Sequence, residues 1–449
     1  MPDRAVRIAI IGAGPSAFYA AAALIKQTDV EVRVDIFDRL FAPYGLVRYG
    51  VAPDHPRIKS VAALYEKTAL DERVRFFGCV EFGKHLTLDD LRPLYDQVIF
   101  ATGAQSDRNL NIPGEDLAGS MSATEFVAWY NSHPDYVNLK PNLDVEGVVV
   151  VGVGNVAMDV ARILAKSYDE LKETDIADHA LEALKHSKVK NIYVLGRRGP
   201  AQAKFTNPEI KEFGHLELAD PVVLPAELEL DPDSQKAVDG HRLTRQNVEI
   251  LREYAESGAG EKPRKVHFRF LVSPVEITGD GKVEHVKIER NRLVSTPDGY
   301  LNCEGLGEYE TLPAGMVLRS VGYRGVPLPG APYNEKKGTI PNDHGRVLND
   351  DGNQLPGAYV VGWAKRGPTG VIGTNKKDAE ETVELMLEDV KNLRRVGQPQ
   401  DVAEFLKTRD CNPVLFDEWQ KMNTAEIERG KPANRPRVKF NTVDDARGR

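Results

Sequence analysis

Cysteine is scarce. Cys79, Cys303 and Cys411 are the whole complement, and no two of them stand in a C-x-x-C or C-x(4)-C arrangement. That pattern argues against a disulfide framework, a cysteine-held metal or an iron-sulfur cluster within the chain, and it fits a reducing, cytoplasmic setting. Long apolar runs are missing too. The nearest, Ile8 to Ile25, is interrupted by Gly12, Gly14 and Pro15 and divides into a short strand and an alanine-rich helix, so no integral membrane contact is expected. Arg4 and Arg7 before it give a faint likeness to a signal peptide, which a nucleotide fingerprint explains better. Nor is there an excess of basic charge. A net charge of -8 argues against general affinity for nucleic acid and leaves room only for a local basic patch facing an acidic protein. With 41% apolar and 28% charged residues the chain has the balance of a soluble globular protein, and 449 residues exceed one ordinary core, so two domains are expected.

What is present is a pattern that occurs twice. Val6 to Ile11 is an apolar run ending in a glycine turn, as for a strand buried on both faces of a parallel sheet; a helix starts near Ser16, and a second strand, Val32 to Phe37, ends at Asp38. Gln97 to Ala101, closed by Thr102 and Gly103, is another buried strand. The pattern returns with a strand at Gly147 to Val151, a turn at Gly152 to Asn155, a helix at Val156 to Lys166 and a strand at Asn191 to Leu195, with a helical insertion around Asp178 to Lys185. Pro263 to Val294 alternates and carries the turn Gly279 to Gly281, which predicts antiparallel strands. Ala358 to Val361 reads as a strand leading into the glycine-rich run Gly362 to Gly373, Asp378 to Val390 as a helix, and Gly430 to Arg449 as a loosely held tail. The repeat predicts an α/β protein with two Rossmann-like domains and two bound dinucleotides.

Gly12, Gly14 and Ala17 make a G-x-G-x-x-A fingerprint. The first glycine allows the tight turn, the second lets backbone approach a pyrophosphate, and the third position must be small for helix-strand packing. The helix from Ser16 then presents N-H groups and its positive dipole end to the phosphates, and the Asp38 carboxylate accepts from ribose hydroxyls. Gly152, Gly154 and Ala157 form the second fingerprint, but the strand after it ends in Arg197 and Arg198 instead of an acid. Guanidinium pairs suit a 2'-phosphate, which favours NADPH over NADH; the bland alternative is two solvated arginines at a strand end.

Four further blocks carry a family resemblance: Tyr44-Gly-Leu-Val-Arg48 continuing to Val51-Ala-Pro-Asp-His-Pro56, Gly154-Asn-Val-Ala-Met-Asp159, Gly196-Arg-Arg-Gly-Pro200, and Gly362-Trp-Ala-Lys-Arg-Gly-Pro-Thr-Gly-Val-Ile-Gly-Thr374. From Ile8 to about Leu387 the chain resembles the adrenodoxin-reductase-like NADPH-ferredoxin reductases, most closely their actinobacterial members. The resemblance implies a glutathione-reductase-like architecture, with a discontinuous FAD domain from 1-104 and 320-449 and an NADPH domain from 105-319 between its two parts. In the family Asp38 is more often Glu. The resemblance further implies that Leu46 and Val80 contact the flavin, that Trp363 lies against it, and that Gly370, Val371 and Ile372 form the turn at its ring. Asn155 and Val156 lie at the second pyrophosphate, Arg197 and Arg198 hold the 2'-phosphate, and Glu209 meets the nicotinamide-side ribose. His55 and Glu212 resemble a hydrogen-bonded pair near the nicotinamide; without the resemblance, His55 reads as a turn histidine satisfied by Asp54 or backbone.

The implied activity is hydride transfer from NADPH to FAD, with electrons leaving singly for an iron-sulfur ferredoxin, and the helix near Gly373 aiming its positive end at the reduced flavin. Arg242, Arg245 and Arg252, or Lys211, are candidate contacts for that acidic partner. A disulfide reductase would need a cysteine pair, and a glutamate-synthase-type small subunit would need cysteine-rich clusters. A non-catalytic nucleotide-binding subunit is the alternative of a different class.

Overall fold

The computed structural model describes residues 4-296, 301-393, 396 and 400-448. Valine, isoleucine and phenylalanine runs that bury both faces form two separate sheets. The first has eight strands in the order Asn342-Asp343, Arg346-Leu348, Gln354-Val360, Gln97-Phe100, Val6-Ile11, Val32-Phe37, Val74-Gly78 and Val414-Leu415. Its five central strands are parallel, and the outer strands on both sides run antiparallel. The second sheet has six parallel strands, Ser120-Ser122, Met316-Arg319, Gly147-Val151, Asn191-Gly196, Arg264-Phe270 and Ala219-Val223. The chain passes between these two bodies at Ser106-Asp107 and again at Tyr323-Arg324, and the two crossings pair antiparallel.

Register sets where the ligand-binding ends lie. Ile11 pairs with Phe37, so Gly12 and Asp38 stand side by side at the carboxyl ends of adjacent strands. In the second sheet Val151 pairs with Leu195, which puts Gly152 beside Gly196 and the two arginines one step further on. Crevices outside the carboxyl ends of parallel strands are where open α/β sheets bind ligands.

Three expectations change. Arg264-Phe270 is a parallel strand of the second sheet, seated between Asn191-Gly196 and Ala219-Val223; the antiparallel sheet begins at Val272 and comprises Val272-Thr278, His285-Ser295 and Leu301-Pro313. Alternation alone does not report strand direction. The helix expected from Asp378 starts at Thr374 and runs to Asp389. And the C-terminal segment is a tightly held strap through Phe440. Arg435 is buried, pairs with Asp178 and donates to the carbonyls of Thr174, at 2.9 Å, and of Ile176. Lys439 Nζ reaches Asp175 at 3.2 Å, Asn131 at 3.1 Å and the Arg48 carbonyl at 3.3 Å. Its high Pro and Arg content reads as solvated only until these buried carboxylates and carbonyls are in view.

Under the strap lies an ion pair with no solvent contact to speak of. Arg48 donates to Glu426 at 2.9 and 2.5 Å, with side chains 4% and 0% exposed, while the Arg48 guanidinium also covers the Trp419 ring at 4.8 Å. Burial works against the Glu426 carboxylate, but Arg48, together with the Phe440 N-H and Arg437, outweighs it and holds its pKa below the ordinary range. Glu426→Gln leaves Arg48 buried without its counter-charge and is expected to cost about 3-5 kcal/mol, read from chemical denaturation. The double replacement Arg48→Met, Glu426→Leu should recover most of that loss.

Candidate active site

Gly12 has φ +103°, and a Cβ there would lie 2.6 Å from the Ala101 carbonyl oxygen, so the turn admits only glycine. At Gly14 a Cβ would meet no protein atom within 4 Å, which marks an open cradle above the loop. The helix Pro15-Lys26 that follows has no side-chain cap, leaving first-turn N-H groups for a ligand, and Ala17 is fully buried against the sheet. The Asp38 carboxylate accepts from the backbone N-H of Ala13 at 2.7 Å and of Leu40 at 2.9 Å, so it braces the glycine loop and keeps two further lone-pair sites. Burial raises its pKa despite those bonds.

Around this cradle stand the other first-cleft residues. Val80 is buried and Leu46 half-buried in the turn after Tyr44. Gly362, at φ +70°, would place a Cβ 2.0 Å from Ser16 Oγ, so the C-terminal glycine turn presses directly on the first helix. Trp363 packs on Tyr323 with ring centroids 5.2 Å apart, and Gly370, Val371 and Ile372 lead into the uncapped helix Thr374-Asp389, with Val371 65% exposed. Arg366 donates from Nη2 to Asn375 at 2.9 Å, whereas its Nη1 is buried with no protein partner. A buried donor of this kind fits a cleft made for an oxygen-rich ligand.

The second cleft repeats the design. Gly152 has φ +131° and a Cβ there would lie 2.2 Å from the Ser320 carbonyl oxygen; Gly154 faces open space; the helix Asn155-Ala165 is uncapped and Ala157 is fully buried. Val156 packs partly buried on the core, and the Asn155 side chain accepts from the Thr206 N-H at 2.9 Å. Arg197 is exposed and Arg198 half-buried at the end of the strand, with the Arg197 carbonyl accepting from Asn291 at 2.9 Å. Register thus sets these two residues at a strand end next to the loop that opens the uncapped helix.

Between the clefts lies a cluster that draws on both bodies. His55 Nε2 is 3.2 Å from both carboxylate oxygens of Glu212, and its Nδ1 faces Glu209 at 3.7 Å and Asp159 at 3.8 Å. Glu209, 7% exposed, gives its other oxygen to Arg162 at 2.8 Å. Burial opposes a charged imidazole, but the Glu212 contact, with Asp54 and Glu209 behind it, outweighs burial and raises the His55 pKa; Glu212 is lowered against its own burial by His55 and Arg162.

The same design is found in known proteins. A model of the pyridine nucleotide-disulphide oxidoreductases matches residues 6-195. NADPH-ferredoxin reductase FprA of Mycobacterium tuberculosis is 49% identical, covering 96% of each chain, and NADPH:adrenodoxin oxidoreductase of Arabidopsis thaliana is 40% identical over 99% of this chain and 95% of its own. The structure of Mycobacterium tuberculosis FprA in complex with NADPH superposes with a TM-score of 0.94 over 99% of both chains at 47% identity. This chain belongs to the FprA and adrenodoxin oxidoreductase family.

Sequence assigns no site role to Asp159, Arg162 and Lys166 in the central cluster, to Arg366 at the first cleft or to the Arg48-Glu426 pair, and names Asp54 only as a partner for His55. One signal was available for Arg162: a charged residue on the apolar face of the fingerprint helix, three places after Asp159. The candidate partner contacts Lys211, Arg242, Arg245 and Arg252 are all exposed, the last three on the helix Arg242-Ser257.

The signs of the two shifts define a pH window. His55, raised, contributes fully below an unfolded value of about 6.5 and loses its contact as pH rises through its folded value; Glu212, lowered, loses it as pH falls through its own. In an NMR titration His55 should therefore change charge above the ordinary histidine value, and Glu212→Gln should bring that midpoint down. A His55 midpoint unmoved by Glu212→Gln would mean that the two groups are not coupled.

Proposed function

We propose that this chain is a cytoplasmic NADPH-ferredoxin reductase, with FAD in the first cleft, NADPH in the second and a ferredoxin-type iron-sulfur protein as acceptor. The division into an FAD domain of 1-104 and 320-449 around an NADPH domain of 105-319 is part of the same proposal. The observation that carries it is the contact of His55, in the body that holds the first uncapped fingerprint, with Glu212, in the body that holds the second. The cysteines support a reaction without a disulfide: burial pushes the Cys79 thiol up to about 11 and raises Cys303 and Cys411, so none is a ready thiolate. Among the described residues no helix is long and apolar enough to cross a membrane.

FAD, if bound, would supply a two-electron acceptor for the hydride of NADPH and a one-electron donor to the partner. The protein's share is to bind, orient and set charge. The Gly12-Ala17 loop and Asp38 would hold the FAD pyrophosphate and ribose, Arg366 and the helix from Thr374 would offer positive potential to the flavin, and Trp363 with Gly370-Ile372 would bound the ring. Asn155 and Val156 hold the NADPH pyrophosphate, Arg197 and Arg198 its 2'-phosphate, and Glu209 the ribose beside the nicotinamide. His55, whose pKa the Glu212 contact raises, would take a positioning or proton-handling role at the nicotinamide end.

Purified protein should be yellow, release FAD on denaturation, and lose its flavin absorption on anaerobic addition of NADPH. A colourless protein, or one that stays oxidised with excess NADPH, would identify a non-catalytic nucleotide-binding subunit. Neutral replacements of Arg197 and Arg198 should raise KM for NADPH far more than for NADH. Two charge-assisted hydrogen bonds at about 1.5-3 kcal/mol each amount to roughly two orders of magnitude or more. Equal weakening of both coenzymes would make the arginines structural.

A further inference from the structure

Arg162 has a fully buried side chain at the third turn of the helix that begins at the second fingerprint. Its Nε and Nη2 form a fork on Asp54 at 2.7 and 3.0 Å, Nη2 also reaches Asp159 at 2.6 Å, Nη1 reaches Glu209 at 2.8 Å, and Nε stands 3.1 Å from Glu212. One guanidinium therefore engages four carboxylates from three segments. Asp54 precedes His55 in the turn of the first body, Asp159 shares the fingerprint helix, and Glu209 and Glu212 lie on the helix Asn207-Glu212 and at its end. Lys166 adds a second cation on Asp54 at 2.8 Å.

We infer that Arg162 is a positioning residue for hydride transfer: it ties the His55 turn and the Glu209-Glu212 helix to the helix that carries the NADPH pyrophosphate site. The inference rests on the reductase reading above. Arg162 touches neither His55 nor any position assigned to the nicotinamide ring; it acts through Asp54 on the backbone of His55, and through Glu209 and Glu212 on the groups that face it. A planar fork is needed because the carboxylates approach from different directions, which a single ammonium cannot meet together. Its charge matters as well as its shape. His55 is faced by Asp54 on its own turn, by Asp159, Arg162 and Lys166 from the fingerprint helix and its end, and by Glu209 and Glu212; the buried phenols of Tyr130 and Tyr323 adjoin Asp159. Without Arg162 those carboxylates would be left, among the described residues, with Lys166, His55 and the more distant Lys59 as cations, and the imidazole would hold its proton to higher pH.

The test uses the FAD-loaded full chain with Arg162→Gln and Arg162→Lys. Flavin content should stay near wild type, since the first fingerprint is untouched, and NADP+ affinity should fall far less than the reduction rate, since both 2'-phosphate arginines remain while Glu209 loses its partner. Flavin reduction by NADPH in stopped flow should slow about a hundredfold in both, the scale of a displacement of about 1 Å. The His55 midpoint by NMR, and the pH profile of reduction with it, should move upward in Arg162→Gln and return toward wild type in Arg162→Lys while the rate stays low. A wild-type reduction rate, or an unmoved His55 midpoint, in Arg162→Gln overturns the inference. Should Arg162→Gln fail to fold, Asp54→Asn cuts the same link with Arg162 in place: slow reduction with flavin retained supports the inference, and wild-type reduction or loss of flavin overturns it. A wild-type protein that NADPH does not reduce would instead defeat the reductase reading itself.

Discussion

The segment from Tyr44 to Pro56 is gripped on both sides by buried guanidinium-carboxylate pairs, and the geometry of both clefts depends on that grip. At one end Arg48 is locked onto Glu426 beneath the C-terminal strap; at the other, Asp54 is held in the fork of Arg162 from the second body. Such pairs are costly to desolvate, so they do little for net stability compared with apolar packing, but they tolerate very little change in relative position. That intolerance is useful here. A turn that carries His55 between two bodies needs one orientation more than it needs extra stability.

The turn itself would not choose its shape alone. Tyr44 has φ +87°, a conformation that a bulky residue adopts only when its surroundings impose it. Here the Tyr44 N-H donates to the Ala13 carbonyl at 2.8 Å, and the ring packs against Phe18, Tyr65 and Trp419. The first fingerprint loop and the His55 turn are thus shaped against each other. A Cβ on Gly45 would lie 2.9 Å from the Gly14 Cα, so the same contact closes one wall of the cradle.

Electrostatically the two clefts and the centre between them are of opposite character. Each cleft offers a free helix N-terminus and, in the second, two arginines, all suited to phosphate. The centre is rich in carboxylates, with Arg162, Lys166 and His55 compensating only part of their charge.

Local sequence determined the parts of this protein whose cause is local. Two glycine loops at the ends of apolar strands, an acid after one and two arginines after the other, were legible because backbone conformation, helix dipoles and charge depend on neighbours within a few residues. Arg162 was not legible, because its meaning lies in Asp54, 108 residues earlier, and in Glu209, 47 residues later. Nor was the strap, whose Pro- and Arg-rich composition matches a solvated tail until Asp175, Asp178 and the Thr174 and Ile176 carbonyls meet it. The parallel direction of the strand Arg264-Phe270 is not legible either, since alternation records which face is buried and says nothing of the direction of the partner. Tertiary structure alone decided which buried charges meet, because an ion pair costs free energy to bury until its partner arrives, and the partner's distance along the chain leaves no local trace.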